Sequence, residues 1–118
     1  EELMLKCGET AGIVGIACGR GIGMHGVHEV LGEHDLVVAI DQTGRDRDDL
    51  RKRIGGTGAH IRVWDSEEDA DWRLPEVGPW NPIVQLAAGW RLLDVVARAR
   101  GRDPAYPERV EKVGNPLG

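Results

Sequence analysis

The chain has 118 residues, which is enough for one domain with its own hydrophobic core. Its 15 Lys and Arg residues are outnumbered by 20 Asp and Glu residues, and a net charge of -5 argues against nucleic-acid binding. The apolar stretches are too short for a membrane-spanning helix, and the acidic first residues do not form a secretion signal. We therefore expect a soluble cytoplasmic protein that binds neither nucleic acid nor a membrane.

The N-terminal third is rich in glycine. Apolar residues at helical spacing predict a helix over residues 1–17, although the glycines within it weaken that helix. After the glycine cluster, "VHEVLGE" predicts a short helix that ends at Gly32. Cys7 and Cys18 lack the spacing of a zinc or redox motif, so we expect two buried thiols.

The middle of the chain predicts two strands with a helix between them. The apolar run "DLVVAID" over residues 35–41 is typical of a buried parallel strand. A helix follows, with Thr43 or Asp46 as its N-cap and Gly55 at its end. "AHIRVWD" over residues 59–65 predicts the next strand. This βαβ unit indicates an α/β fold with a parallel sheet.

The second half contains a polar loop and the clearest helix. The loop over residues 66–82 is rich in acidic residues, Pro and Gly, and we expect its acidic run to be solvated. A short edge strand is possible at "WRLPEV". A helix is predicted from Pro82 to Arg100, with Gly101 at its C-cap. Its predicted buried face consists of Ile83, Leu86, Ala87, Trp90, Leu93, Val96 and Ala97.

The stretch "CGRGIGMHGVHEVLG" contains the spacing G-x-G-x-x-G, at Gly21, Gly23 and Gly26, with Asp41 downstream. In a Rossmann fold such a turn follows a strand and binds NAD, and Asp41 would bind the ribose. However, only eight residues separate Gly26 from Asp35. A helix of that length is about 12 Å long, which is barely enough to bring the chain back to the start of the next parallel strand. An NAD-dependent dehydrogenase is therefore the least favoured interpretation.

The histidines near this stretch suggest a different role. His25 and His28 have the i, i+3 spacing of one helical face, but no third ligand at metal-site spacing follows. We expect no metal and no other cofactor. His25 lies in the glycine-rich stretch itself, where backbone freedom lets an imidazole project into a site.

Four features together resemble a known family. Lys6 and Glu9 form a Lys-x-x-Glu pair, His25-Gly26 begins sixteen residues after Glu9, and a strand, a helix and a strand follow. Towards the C-terminus, the residues that fall at the spacing of this family are Pro82, Gly101, Asp103, Pro107 and Lys112. The chain thus resembles the C-terminal isomerase module of glutamine-dependent fructose-6-phosphate aminotransferases, which is a sugar isomerase (SIS) domain. The resemblance implies a three-layer, flavodoxin-like α/β fold, of which residues 1–118 form the C-terminal part.

The resemblance also implies roles for individual residues. Glu9 would be the base that moves a proton between C1 and C2 of a sugar phosphate such as fructose 6-phosphate. His25 would open the sugar ring, from the neighbouring subunit of a homodimer, and Lys112 would engage the ketose carbonyl. Lys6 would stabilise the developing oxyanion. Without the resemblance, Lys6 and Glu9 would be read as a surface ion pair.

The chain departs from the family pattern in the residues around His25 and in the absence of the phosphate-binding loops. Met24 and Val27 stand where the family has Lys and Pro. The Ser/Thr-rich phosphate loops are missing, since Ser66 is the only serine, so we expect the N-terminal half of the domain in the same or another chain. Three alternatives remain open: a phosphosugar deaminase-isomerase, a deglycase, and a sugar-phosphate-binding homologue without turnover.

Overall fold

The computed structural model describes residues 1–40 and 44–106, which form a three-stranded parallel sheet with flanking helices. The predicted α/β class is confirmed. The helices are α1 (Glu2–Lys6), α2 (Arg20–His25), α3 (Gly44–Gly55) and α4 (Asn81–Ala99), and the strands are β1 (Leu36–Ile40), β2 (His60–Asp65) and β3 (Trp72–Arg73). The chain divides into two compact units, a first unit of Glu1–Ala17 with Leu86–Gly118 and a second unit of Cys18–Gln85.

The sheet of the second unit has the order β1-β2-β3. Strands β1 and β2 run parallel from the pair Leu36 and His60 onwards, and helix α3 connects them and packs against β2. The buried apolar side chains are Ala39 of β1, Val63 and Trp64 of β2 and Ile54 of α3, and Val63 is completely inaccessible. Leu36 is 47% exposed, so β1 is less buried than its apolar run predicted. Both predicted strands are confirmed, and the possible edge strand exists as the two residues of β3.

Helix α3 begins at the carboxyl end of β1 and ends at Gly55, as predicted. Asp46 lies inside its first turn and not at the N-cap. Thr43, the other predicted cap, lies outside the described residues. After the helix, the Thr57 hydroxyl donates to the carbonyl oxygen of Ile54 at 2.7 Å, which satisfies one of the carbonyls that a helix end leaves free.

The acidic run after β2 is exposed, as predicted, and two of its carboxylates also form ion pairs with α3. Arg47 of α3 is buried and donates to Asp65 at 3.1 Å and also to Asp69. The bond from Arg47 lowers the pKa of Asp69. A buried guanidinium needs such carboxylates because an unpaired charge in the interior is costly.

A second acidic residue of this loop binds the edge of the sheet. The Asp71 carboxylate accepts the backbone N–H of Val63 at 2.7 Å and a side-chain hydrogen bond from Arg51 at 3.0 Å. These bonds, the one from Val63 first, lower the pKa of Asp71. The loop is thus tied both to β2 and to α3.

The first unit begins with helix α1, which continues as one π-helical turn over Cys7–Ala11. Gly12 ends this turn with φ of 63°, in the left-handed region. The predicted helix over residues 1–17 is therefore too long by six residues. Residues 12–19 contain neither helix nor strand, so the strand that a dinucleotide turn would require is absent there.

The core of the first unit lies between the π-helical turn and helix α4. Ala11, Leu93 and Ala97 are buried together. Helix α4 has the predicted bounds to within one residue, but its predicted buried face is only partly buried. Ile83 is 59% exposed and Trp90 is 50% exposed. The apolar face of α4 is therefore wider than the part of it that the described residues cover.

The two cysteines differ from the sequence prediction. Cys7 is half-buried, and burial raises the pKa of its thiol. Cys18 is exposed, because it lies in the irregular segment before α2, so the prediction of two buried thiols is wrong for this residue. None of the described helices is long and apolar enough to cross a membrane.

Candidate functional site

Lys6 and Glu9 lie together at the junction of α1 and the π-helical turn. The Lys6 Nζ donates to Glu9 Oε2 at 2.5 Å, and Glu2 lies 4.0 Å from the same nitrogen. The hydrogen bond to Glu9 raises the pKa of Lys6, so this residue stays protonated at neutral pH. The Glu9 side chain is 27% exposed, so a ligand can reach a carboxylate that is already oriented by a cation.

The backbone of this turn is fixed by bonds of its own. The N–H groups of Gly12 and Ile13 both donate to the carbonyl oxygen of Cys7, the second at 3.1 Å. The Thr10 hydroxyl donates to the carbonyl oxygen of Lys6 at 2.7 Å. Single π-helical turns are rare and occur often at functional sites, because they reorient side chains relative to an ordinary helix.

His25 is the last residue of the six-residue helix α2 and is exposed. The glycine cluster therefore forms a short helix where the sequence suggested a turn, and this helix ends at Gly26. His28 faces Glu29, with 3.0 Å between Nε2 and Oε1. In the described part of the chain, no three His, Cys, Asp or Glu side chains lie close enough together to hold a metal ion.

The structure brings together two of the four predicted site residues. Lys6 and Glu9 belong to the first unit, and His25 belongs to the second. Lys112, the predicted carbonyl-binding residue, lies outside the described residues, as does Asp41 of the dinucleotide interpretation.

A small cleft of about 10 Å³, lined by both polar and apolar residues, lies at the carboxyl end of β2 and was not predicted from the sequence. It is lined by Asp65, Ser66, Glu76 and Asn81 among others. Glu76 accepts two hydrogen bonds of 2.8 Å from the Asn81 amide, which with the N–H of Gly78 lower the pKa of Glu76. Ligands of parallel α/β sheets commonly bind at this end of the strands. Only the position of Asp65 at a strand end signals this cleft in the sequence.

Comparison with known proteins gives a match among solved structures. No family model matches the chain, and no curated protein matches it. Among solved structures, the glucosamine-6-phosphate deaminase of Thermotoga maritima has a TM-score of 0.79, with 21% identity over 93% of this chain. The two proteins share a fold. The chain spans about 34% of the length of that deaminase.

Proposed function

We propose that this protein binds a sugar phosphate and moves a proton between C1 and C2, either as an isomerase or as part of amino transfer. The observation that carries the proposal is the shared fold with a glucosamine-6-phosphate deaminase over 93% of the chain. One fold supports many functions, so the argument also needs residues suited to the chemistry. The resemblance of these residues to the SIS module of fructose-6-phosphate aminotransferases supplies them.

Glu9 is the proposed base. Its carboxylate takes a proton from one of the two carbons, which gives an enediol or enolamine, and returns the proton to the other carbon. Protonated Lys6, 2.5 Å from this carboxylate, is close enough to stabilise negative charge that develops on the substrate oxygen. The pair thus combines a base with a cation, and no metal or nucleotide enters these steps.

The other two residues act before and after this transfer. His25 opens the sugar ring, from the second subunit of a homodimer, and Lys112 engages the ketose carbonyl, where an amine forms or assists an imine. The Ser/Thr loops of the N-terminal half of the domain complete the phosphate site, in the same or another chain. A cytoplasmic location belongs to the same proposal.

A deaminase-isomerase is the second candidate, and the solved structure with the shared fold favours it because that protein is a glucosamine-6-phosphate deaminase. A deaminase releases ammonia from glucosamine 6-phosphate, whereas an aminotransferase consumes an amino donor. Measuring ammonia release from that substrate distinguishes the two. Binding of sugar phosphate without either reaction would indicate a homologue that only binds its ligand.

The proposal is tested with Glu9→Gln. We expect the variant to lose proton exchange at C1 and C2 of fructose 6-phosphate by about 100-fold or more, because the amide cannot accept the proton. The measurement is the incorporation of solvent deuterium into the sugar, followed by NMR with the complete assembly that includes the N-terminal half of the domain. Glu2→Gln is the matched control, since Glu2 also faces Lys6. Equal exchange by Glu9→Gln and the unmodified protein would remove Glu9 as the base.

A further inference from the structure

Strand β1 lies at one edge of the sheet of the second unit. Among residues 1–40 and 44–106, only β2 pairs with it. The carbonyl oxygen of Asp35 accepts the N–H of His60 at 2.9 Å, so the odd-numbered residues of this strand form the hydrogen bonds to β2. In a parallel strand, alternate residues bond to the same neighbour. The backbone groups of Leu36 and Val38 therefore point away from β2, along the outer edge of the sheet.

The opposite edge of the sheet is protected against further pairing, whereas the edge of β1 is not. Strand β3 has only two residues, one of which is Arg73, and the Asp71 carboxylate accepts the Val63 N–H on that side. Short edge strands and charged side chains are common means of preventing a sheet from adding strands. Strand β1 has five residues, with the sequence LVVAI, and contains no charge and no proline.

The two faces of β1 are incompletely covered as well. Five successive apolar residues are typical of a strand that is covered on both faces in a parallel sheet. In the part of the chain that the structure describes, Ala39 is buried and Leu36 is 47% exposed, and the remaining three residues are partly buried. Strand β1 thus has the sequence of an interior strand and the exposure of an edge strand.

We propose that the outer edge of β1 pairs in parallel with an apolar strand from the N-terminal half of the domain, in the same or another chain. The proposal rests on the proposed function, which needs that half for the phosphate site. The deaminase that shares the fold supports it, because this chain spans 34% of its length and most of that protein has no counterpart here. A second copy of the chain fits less well, since two-fold symmetry would pair β1 with itself antiparallel in a sheet of parallel strands.

Parallel pairing also accounts for the position of the phosphate loops. The carboxyl ends of parallel strands meet at one edge of a sheet, and ligands commonly bind there. A loop that follows the added strand would therefore lie at the same end of the sheet as the carboxyl ends of β1 and β2. The N-terminal half would thus supply both the missing neighbour of β1 and a loop at the ligand-binding end.

The test measures deuterium exchange of the backbone amides in the chain alone and in the complete assembly that includes the N-terminal half of the domain. We expect the Leu36 and Val38 amides to exchange about tenfold or more slowly in the assembly, because they gain carbonyl acceptors there. The Val63 amide is bonded to Asp71 in the chain alone and serves as the internal reference.

A proline at position 38 tests the same edge by substitution. Val38→Pro removes an outward N–H and leaves the hydrogen bonds to β2 in place, as proline does on edge strands. We expect this variant to keep the protection of the Val63 amide and to lose the protection of the Leu36 amide in the assembly. Val38→Thr is the matched control, because it keeps the N–H and a β-branched side chain.

The outcomes separate this proposal from the proposed function. Equal exchange of the Leu36 and Val38 amides in the chain alone and in the assembly would overturn the pairing, whether or not Val38→Pro folds. Protection that appears in the chain alone and rises with its concentration would identify a second copy as the occupant and overturn the assignment to the N-terminal half. An assembly that protects both amides but exchanges no proton at C1 and C2 of fructose 6-phosphate would contradict the proposed function and leave the pairing in place.

Discussion

At the scale of single residues, Gly12 decides where the Glu9 turn ends. Its left-handed backbone disfavours a side chain, whereas the Arg102 guanidinium that an added Cβ would meet is the end of a flexible side chain. A non-glycine residue in the left-handed region costs about 1–2 kcal/mol. The turn that carries the proposed base thus ends at this glycine.

We predict that Gly12→Ala lowers the free energy of unfolding by about 1–2 kcal/mol or more. Gly8→Ala is the control, because Gly8 is helical and has no atoms within 4 Å of an added Cβ. The control should be neutral or stabilising by about 0.5–1 kcal/mol. Urea unfolding curves measure both changes. Equal stability of the two variants would contradict this account of Gly12.

Whether a contact between two residues can be predicted depends on how far apart they are in the sequence. Lys6 and Glu9 are three residues apart, and helical spacing alone places them together. Arg102 and Gly12 are ninety residues apart, so their contact exists only in the folded first unit. His25 is exposed, and its place at the end of a helix was not predicted.

At the scale of elements, the connection between β2 and β3 is unusual. Parallel neighbours normally need a crossover of a dozen or more residues, whereas residues 66–71 alone separate these two strands. Strand β3 pairs only with the last two residues of β2. Next to that pairing, the Asp71 side chain accepts the N–H of Val63 where a longer strand would have accepted it. The carboxylate thus extends a very short edge strand.

We predict that Asp71→Ala lowers the free energy of unfolding by about 1–3 kcal/mol, because it leaves the buried N–H of Val63 without its acceptor. Glu68→Ala, an exposed acidic residue of the same loop, is the control and should change stability by less than about 0.5 kcal/mol. Hydrogen exchange of the Val63 amide gives a local measurement. Unchanged protection of that amide in Asp71→Ala would contradict the prediction.

Elements with a clear period were predicted well from the sequence. The apolar run of β1, the alternation of β2 and the helical period of α4 each determine one structure. The first helix was predicted too long because a glycine can adopt either a helical or a left-handed backbone, so the sequence does not show which glycine ends the helix. The structure shows that it is Gly12, which is left-handed. The exposure of Ile83 and Trp90 was missed because a pattern identifies an apolar face and not what covers it.

At the scale of the whole molecule, stability should depend on two carboxylates of the second unit. The pKa values of Asp69 and Asp71 are lowered in the folded protein, by Arg47 and by the Val63 N–H respectively. A lowered folded pKa means that the stabilisation is complete above the unfolded value and is lost as the pH falls through the folded value. The loss should therefore begin below about pH 4.

We predict that the urea midpoint of unfolding falls on acidification from pH 5 to pH 2. In Asp69→Asn the midpoint should fall less, because this variant has already lost the ion pair with Arg47. Glu68→Gln should follow the unmodified protein. Urea unfolding at a series of pH values measures the effect. The same acid dependence in Asp69→Asn and the unmodified protein would show that this pair does not control it.

The sequence by itself determined the α/β class, the βαβ unit, helix α4 and the Lys6–Glu9 pair, because these follow from local periodicity and from spacings of three or four residues. Tertiary structure alone decided which charged residues are buried and which stay available. Arg47 is buried between acidic residues of a later loop, and Arg102 lies next to Gly12. Both arrangements join residues distant in sequence, and their energies depend on burial, which no local pattern encodes.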